Sequence, residues 1–318
     1  MNAGPAWVPQ LEEALRRAGV NVEPGAPMGA RTTYRVGGAA ALLVAVESLD
    51  ELEMLAEALW ALDDVPVMVL GLGSNMLVAD DGFAGVVIQL GAGFNYQHAE
   101  GGRLILGGAS PLPVASRKVA AMGYAGFEWA VGVPGSVGGA VRMNAGGHGS
   151  EIGESLVEAA VFSLGERQVR RRPAKGLDLA YRHSNIGPAE VVVEAALELG
   201  EGDPAASKAR ISEIVAWRRE HQPGGQNAGS VFVNPPGDHA ARLVEACGLK
   251  GYRLGGAEVS PKHANFIQAD PGAPARDVVA LMALVRDRVA SEHGVRLHTE
   301  IRLVGFEDDY GLPAEESR

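Results

Sequence analysis

The residues best suited to chemistry in this chain are Gly71-Leu72-Gly73-Ser74-Asn75-Met76-Leu77. They follow an apolar run over 65–70 that reads as a buried strand broken by two glycines. Glycine accepts positive φ and lets backbone approach a ligand closely. Successive N–H groups in such a turn can make an anion-binding concavity, and Ser74 and Asn75 add side-chain donors. The spacing is not a Rossmann fingerprint, because Met76 stands where G-x-G-x-x-G needs its third glycine. The absence of Gly-Lys-Ser/Thr here excludes a P-loop. Taken alone, the stretch is either a phosphate cradle of a third kind or an ordinary strand–turn–strand.

A second segment changes the balance. Gly132-Val133-Pro134-Gly135-Ser136-Val137-Gly138-Gly139-Ala140 mixes glycine and proline with small apolar residues and holds no acid. A solvated linker would be more polar. Small apolar backbone suits packing against a flat group such as a cofactor ring; a tight inter-domain loop is the alternative. Two such segments in one chain favour a nucleotide-type cofactor. None of the eight histidines falls at H-x-x-x-H spacing on a helical stretch, so no metal is expected. The single cysteine, Cys247, shares an apolar helix face with Ala240, Leu243 and Val244, which points to core rather than nucleophile. Arg167, Arg170, Arg171 and Arg172 read as a solvated strand edge more than as a phosphate patch.

These groups sit in 318 residues with a net charge of −11 and 47% hydrophobic content. That charge argues against nucleic acid or anionic membrane as a general partner. The apolar runs are far short of the roughly 20 residues that span a bilayer. With no visible secretory signal and no possible internal disulfide, the expected location is the cytoplasm.

The elements that must hold the two glycine segments follow from periodicity. A short helix over 11–18 precedes a strand over 41–46. Ser48-Leu49-Asp50-Glu51 is a capping box opening a helix with Leu52, Leu55, Ala56 and Leu59 on one face. The strand over 67–70 then delivers the first glycine turn, giving an α/β block over 1–93. From 94 to 203 short β-like runs (103–106, 157–162, 191–197) surround a helix over 112–122. The third block, 204–306, starts with a helix over 206–220 and a turn-rich stretch over 221–227. A strand over 230–233 follows, then a helix over 240–247 capped by Asp238. A final helix begins at Pro274 with Val278, Leu281, Val285 and Val289 on one stripe and stops at Gly294. An alternating strand over 295–304 sets Val295, Leu297, Thr299, Ile301 and Leu303 against Arg296, His298, Glu300 and Arg302. Residues 307–318 form a polar tail.

Seven stretches in order, with these glycine segments among them, resemble the UDP-N-acetylenolpyruvoylglucosamine reductase family, also called UDP-N-acetylmuramate dehydrogenases. They are Thr33-Tyr34-Arg35-Val36-Gly37-Gly38, Gly71-Leu72-Gly73-Ser74-Asn75, the segment 132–140, Tyr181-Arg182-His183-Ser184, Asn227-Ala228-Gly229-Ser230-Val231-Phe232, His263-Ala264-Asn265-Phe266-Ile267 and Glu300-Ile301-Arg302. The resemblance implies an α+β chain: a two-subdomain FAD-binding fold of the vanillyl-alcohol-oxidase (PCMH) type plus a C-terminal α/β substrate-binding domain. It implies non-covalent FAD, with Gly71, Gly73, Ser74, Asn75, Met76 and Leu77 around the pyrophosphate. Pro134, Gly135, Ser136, Gly138, Gly139 and Ala140 would line the ribityl chain and the ring.

The implied reaction reduces UDP-N-acetylglucosamine enolpyruvate to UDP-N-acetylmuramate with NADPH as co-substrate, in peptidoglycan precursor synthesis. Hydride reaches C3 from reduced flavin, and negative charge gathers at C2 and the neighbouring carboxylate. Arg182 matches the family's catalytic arginine, a permanent cation that can grip a carboxylate through two bonds. Ser230 matches the serine that protonates C2. Glu300 matches the acidic catalytic residue, which must be protonated to donate to the enolate. Tyr181, Arg218, His221, Asn234 and His263 are the matching substrate candidates, although the residues of His263's stretch alone suggest a structural histidine.

Two positions depart from the commonest family pattern. His221 stands where many relatives carry lysine, and Val233 replaces another lysine, so the diphosphate must be anchored differently. The segment 182–191 is too short for the inserted tyrosine loop, which places the chain in the second subgroup. The expected protein is a monomer acting on a small nucleotide sugar. An oxidase of the same fold and a non-catalytic nucleotide-sugar binder are the alternatives. Peroxide release would mark the first, and a colourless protein the second.

Overall fold

The computed structural model describes residues 5–306, and the expected polar tail over 307–318 lies outside the described residues. The chain forms two compact units that alternate along the sequence. Unit 1 takes the chain up to residue 25, then 41–72 and 84–218; unit 2 takes 26–40, 73–83 and the chain from 219 onward. The sequence analysis expects contiguous blocks instead. The division is discontinuous because Met76–Val78 pairs in parallel with Arg302–Val304, which draws an early segment into unit 2.

In unit 1, α1 (Val8–Arg17) buries Leu11 and Leu15. The helix α2 (Leu49–Trp60) opens as expected at Ser48, whose hydroxyl accepts the Glu51 N–H at 3.2 Å. The reciprocal half of the box differs: the Glu51 carboxylate takes the Glu47 N–H at 2.8 Å. A four-stranded sheet has the order Asn21–Pro27, Ala39–Val46, Phe83–Leu90, Val67–Leu70, and the last two strands are parallel. A five-stranded antiparallel sheet has the order Gln168–Pro173, Leu156–Ser163, Glu190–Leu197, Arg103–Gly107, Gln97–Glu100.

The arginines of Gln168–Pro173 lie on the edge strand and pair with glutamates: Arg170 with Glu166 at 2.6 Å, Arg171 with Glu158 at 3.0 Å, Arg172 with Glu190 at 3.4 Å. Charge on an exposed edge discourages strand addition. The remaining helices of this unit are α3 (Leu112–Ala121), α4 (Val137–Arg142) and α5 (Pro204–His221). One apolar cluster gathers Leu11, Leu42, Leu52, Val86 and Phe162, and a second gathers Leu104, Val119, Trp129, Val141 and Leu197.

In unit 2, α6 (Ala240–Ala246) and α7 (Ala275–His293) belong with a three-stranded antiparallel sheet of Arg253–Leu254, Ala257–Val259 and Ile267–Ala269. The expected stripe of Val278, Leu281, Val285 and Val289 is buried. The helix α7 stops at Gly294, which takes φ 69°. Its first turn is capped from far away in sequence: the Asp80 carboxylate accepts the N–H groups of Ala275 at 2.6 Å and Arg276 at 3.1 Å. The core joins Tyr34, Val36 and Leu77 to residues of α6, α7 and the last segment.

Three local expectations are corrected. Residues 230–233 are not a strand, and Phe232 makes a single bridge to Thr299. Only Arg302–Val304 of 295–304 joins a ladder, although burial still alternates, with Leu297, Thr299 and Ile301 inside. Asp238 does not cap α6; Asn234 Oδ1 accepts the Ala240 N–H at 3.0 Å, while Asp238 bonds Arg242. Among the described residues, no helix is long and apolar enough to cross a membrane.

Candidate functional site

In unit 1 the strand Val67–Leu70 ends at Gly71, and a Cβ there would come within 2.6 Å of the Ser136 hydroxyl. The two glycine segments therefore touch at Gly71 and Ser136. The second is not all loop. Ser136 Oγ accepts the Gly139 N–H at 3.3 Å and starts α4, so Gly138, Gly139 and Ala140 are helical. Backbone bonds fix this segment: Leu112 N–H to Gly135 O at 2.9 Å, Val137 N–H to Ser110 O at 2.9 Å and Gly138 N–H to Gly108 O at 2.8 Å. A Cβ on Gly138 would lie 2.9 Å from the Val192 carbonyl, so only glycine allows this approach. The result is a narrow cleft, open to solvent, whose lining includes Gly71, Leu72, Ser136, Gly138, Gly139 and Arg142. A lining that combines glycine backbone with the apolar Val69, Leu90 and Val192 fits part of a flat dinucleotide.

Arg182 lies at the corner of a tight turn in the same unit. Ala180 and His183 exchange both backbone bonds, at 3.1 and 3.0 Å, and Arg182 takes φ 56°. Its guanidinium carbon lies 4.8 Å from the Tyr181 ring centroid, and Nη2 donates to the Gly146 carbonyl at 3.0 Å. The next motif residue but one, Ser184, anchors the turn by donating to the Arg142 carbonyl at 2.6 Å. Arg218 is half-buried near the end of α5, and burial lowers its pKa. His148, absent from the sequence candidates, stands T-shaped to Trp217 at 5.2 Å. Burial first, then the Arg218 and Arg210 charges, push its pKa down. The glycines flanking His148 were its only sequence signal.

Unit 2 brings several further candidates together. Gly73 has φ 62°, and a side chain there would drive into the Arg31 carbonyl. Its own carbonyl accepts the Thr33 N–H at 3.0 Å, joining the first motif to the first glycine turn. Met76 and Leu77 continue into the strand beside Arg302–Val304. Asn75 Nδ2 donates to the Glu300 carbonyl at 3.2 Å, and Glu300 N–H donates to the Val231 carbonyl at 2.8 Å. Ser230, half-buried, is thus one residue from a direct backbone tie to Glu300.

Asn265 fixes the other side of the Ser230 segment. Its carbonyl takes the Val231 N–H at 2.8 Å, its Oδ1 the Phe232 N–H at 3.0 Å, and its Nδ2 donates to Phe232 O at 2.8 Å. The framing role of Asn265 is not legible in the sequence, because a long-range bond leaves no local periodicity. His263 accepts the Asn265 N–H at 3.3 Å and packs edge-on to Phe266 at 4.8 Å. Asn234 is occupied at Oδ1 by its cap of α6, and His221 is exposed at the end of α5. Cys247 is half-buried at the end of α6 and packs against the apolar core of unit 2, as its helix face predicts. Its thiol, Glu292 and His293 bring ligand atoms within 4.8 Å of one another, but Arg288 holds Glu292 at 3.3 Å.

Comparison with known proteins agrees with these two halves. Residues 40–164 match the FAD binding domain family, and residues 221–304 match the UDP-N-acetylenolpyruvoylglucosamine reductase C-terminal domain. A UDP-N-acetylenolpyruvoylglucosamine reductase of Anaeromyxobacter sp. is 43% identical over 316 residues, covering 98% of each chain. That of Chloroflexus aggregans is 40% identical over 294 residues, covering 90% of this chain and 98% of its own. The crystal structure of UDP-N-acetylenolpyruvylglucosamine reductase from Thermus caldophilus superposes with a TM-score of 0.78 at 34% identity, covering 90% of this chain and 99% of that one.

An FAD-binding fold of the vanillyl-alcohol-oxidase type, followed by a reductase C-terminal domain, defines a flavin-dependent oxidoreductase. The glycine-lined cleft of unit 1 lies partly within the matched FAD-binding residues. The chain belongs to the UDP-N-acetylenolpyruvoylglucosamine reductase family.

Proposed function

We infer that the protein reduces UDP-N-acetylglucosamine enolpyruvate to UDP-N-acetylmuramate, a step of peptidoglycan precursor synthesis, with NADPH as reductant. FAD, when bound, would supply the hydride chemistry that links NADPH to C3 of the enolpyruvyl double bond. The backbone around Gly71, Gly73, Ser74, Asn75, Met76 and Leu77 would hold its pyrophosphate. Pro134, Gly135, Ser136, Gly138, Gly139 and Ala140 would face the rest.

Arg182 binds the substrate carboxylate, where a permanent planar cation stabilises the charge that builds as C3 is reduced. Ser230 gives its hydroxyl proton to C2. A serine is a weak acid, so the transfer depends on a fixed position; the Asn265 bonds to Val231 and Phe232 supply a rigid frame. Glu300 hydrogen-bonds the enolate or orients its partners. Tyr181, Arg218, His221, Asn234 and His263 remain the substrate-binding set, with Arg218 the main cation for the diphosphate in place of the missing lysines.

The observation that carries this reading is the tie of the Asn75 side-chain amide and the Val231 carbonyl to the Glu300 backbone, which unites three family motifs in unit 2. The proposed subdomain boundary near residue 93 belongs to the same reading, with the apolar cluster of Leu104, Val119, Trp129, Val141 and Leu197 lying wholly beyond it. Third-block functions are assigned to 204–306. A single unbridged cysteine supports a cytoplasmic location and the acidic balance supports the absence of nucleic-acid binding; the protein is proposed as a monomer.

Ser230→Ala is the test. Stopped-flow flavin reduction by NADPH should persist, while oxidation by the enolpyruvyl substrate falls by about 10²–10⁴. Equal losses in both half-reactions would make the serine structural.

A further inference from the structure

The turn that carries Arg182 is held by a buried side chain to which no function has been given. Asn144 is fully buried and has φ 38°, a conformation that asparagine tolerates better than most residues. Its Nδ2 donates to the Ala180 carbonyl at 3.0 Å and to the Glu151 carboxylate at 2.8 Å, and its Oδ1 accepts the Gly153 N–H at 3.0 Å. Three of the four bonds an asparagine amide can make are therefore used inside the protein.

Ala180 is one end of the turn whose corners are Tyr181 and Arg182. The same segment meets the turn a second time, where the Gly146 carbonyl accepts from Arg182 Nη2 at 3.0 Å. Gly146–Gly147 and Ser150–Glu151 pair as a small β-ribbon, so one contact comes from the ribbon and the other from the asparagine just before it. The chain is gripped just before the arginine and again at its guanidinium.

We propose that Asn144 is a positioning residue for Arg182: its amide, tethered by Glu151 and Gly153, holds the Ala180 carbonyl and thereby aims the guanidinium. The proposal rests on the assignment of Arg182 to the substrate carboxylate. Without the amide, Ala180 O keeps its bond from the His183 N–H, so the turn need not open. It loses its lateral tether, and an arginine held at positive φ is free to relax. A displacement of about 1 Å in such a group can cost about 10²-fold in rate.

Asn144→Asp combined with Glu151→Gln tests this without emptying the core. The new amide at 151 donates to the new carboxylate at 144, whose other oxygen still accepts from Gly153. In place of its donor the Ala180 carbonyl meets a carboxylate oxygen, which repels it, so the tether is lost. Bound flavin and the rate of flavin reduction by NADPH should stay within about twofold of the parent. Single-turnover oxidation by the enolpyruvyl substrate should fall about ten- to hundredfold, in kcat more than in KM. Adding the pair to Arg182→Lys should bring little further loss.

An unchanged oxidative rate, or equal losses in both half-reactions, would overturn the proposal. Arg182→Lys alone separates the two levels. If its reduced flavin is reoxidised by substrate at the normal rate, the reading of Arg182 fails and the proposal falls with it. If it is slow while the Asn144→Asp/Glu151→Gln enzyme is normal, only the positioning role fails.

Discussion

The Ser136 hydroxyl starts α4 by accepting the Gly139 N–H, and the same oxygen is what a methyl at residue 71 would strike at 2.6 Å. Gly71→Ala should therefore overpack the cleft at a cost of about 1–3 kcal/mol. Less flavin should survive purification, read from the ratio of visible to ultraviolet absorbance. Gly71→Ala with Ser136→Gly should recover part of the loss. Two histidines make a second prediction at this scale. Burial and the Lys250 charge hold His263 below its ordinary pKa, and burial with Arg218 and Arg210 does the same for His148. As pH falls below about 6.5, the unfolded chain takes up protons at these sites before the folded one does. Stability is complete above that range and is lost on acidification. Melting temperatures measured from pH 8 to 5 should decline, with a shallower slope in His263→Gln and in His148→Gln.

At the scale of elements, Asp80 shows how a helix can be capped from outside its own neighbourhood. Pro274 at the N-cap position of α7 offers no side-chain bond, and the Asp80 carboxylate fills the gap. Asp80→Ala should cost about 1 kcal/mol, seen as a lower urea midpoint with an unchanged slope. The body of α7 was legible in the sequence because its stripe, its proline start and its glycine stop are all local signals. The same holds for α2, α3 and the strand before Gly71. The capping by Asp80 and Asn234 was not legible, since each depends on where a distant or differently folded segment arrives. Alternation over 295–304 correctly gave the buried face but not the ladder, because side-chain period reports burial while pairing needs a partner in register. The motif residues were legible in type and order. The bonds that fix them, from Asn265 to Val231 and Phe232 and from Asn144 to Ala180, were not, because single asparagines in glycine-rich or apolar surroundings carry no period.

For the whole molecule, the acidic balance and the modest apolar runs bounded the class of protein, but the interleaved division of the chain could not be read from composition. Unit 2 completes its core with Tyr34, Val36 and Leu77, all far upstream of its main segment. A fragment comprising residues 219–306 should therefore remain unfolded or molten when expressed alone. Weak near-ultraviolet circular dichroism and strong dye binding would show it; a sharp cooperative melt would contradict it.

The same shared core bears on synthesis at the ribosome. Tyr34, Val36 and Leu77 leave the exit tunnel long before the chain that buries them is made. At ordinary elongation speeds that interval is on the order of ten seconds. During it these side chains are exposed to aggregation, so the nascent chain is an obvious client for a holding chaperone, and slowing translation should lower its yield.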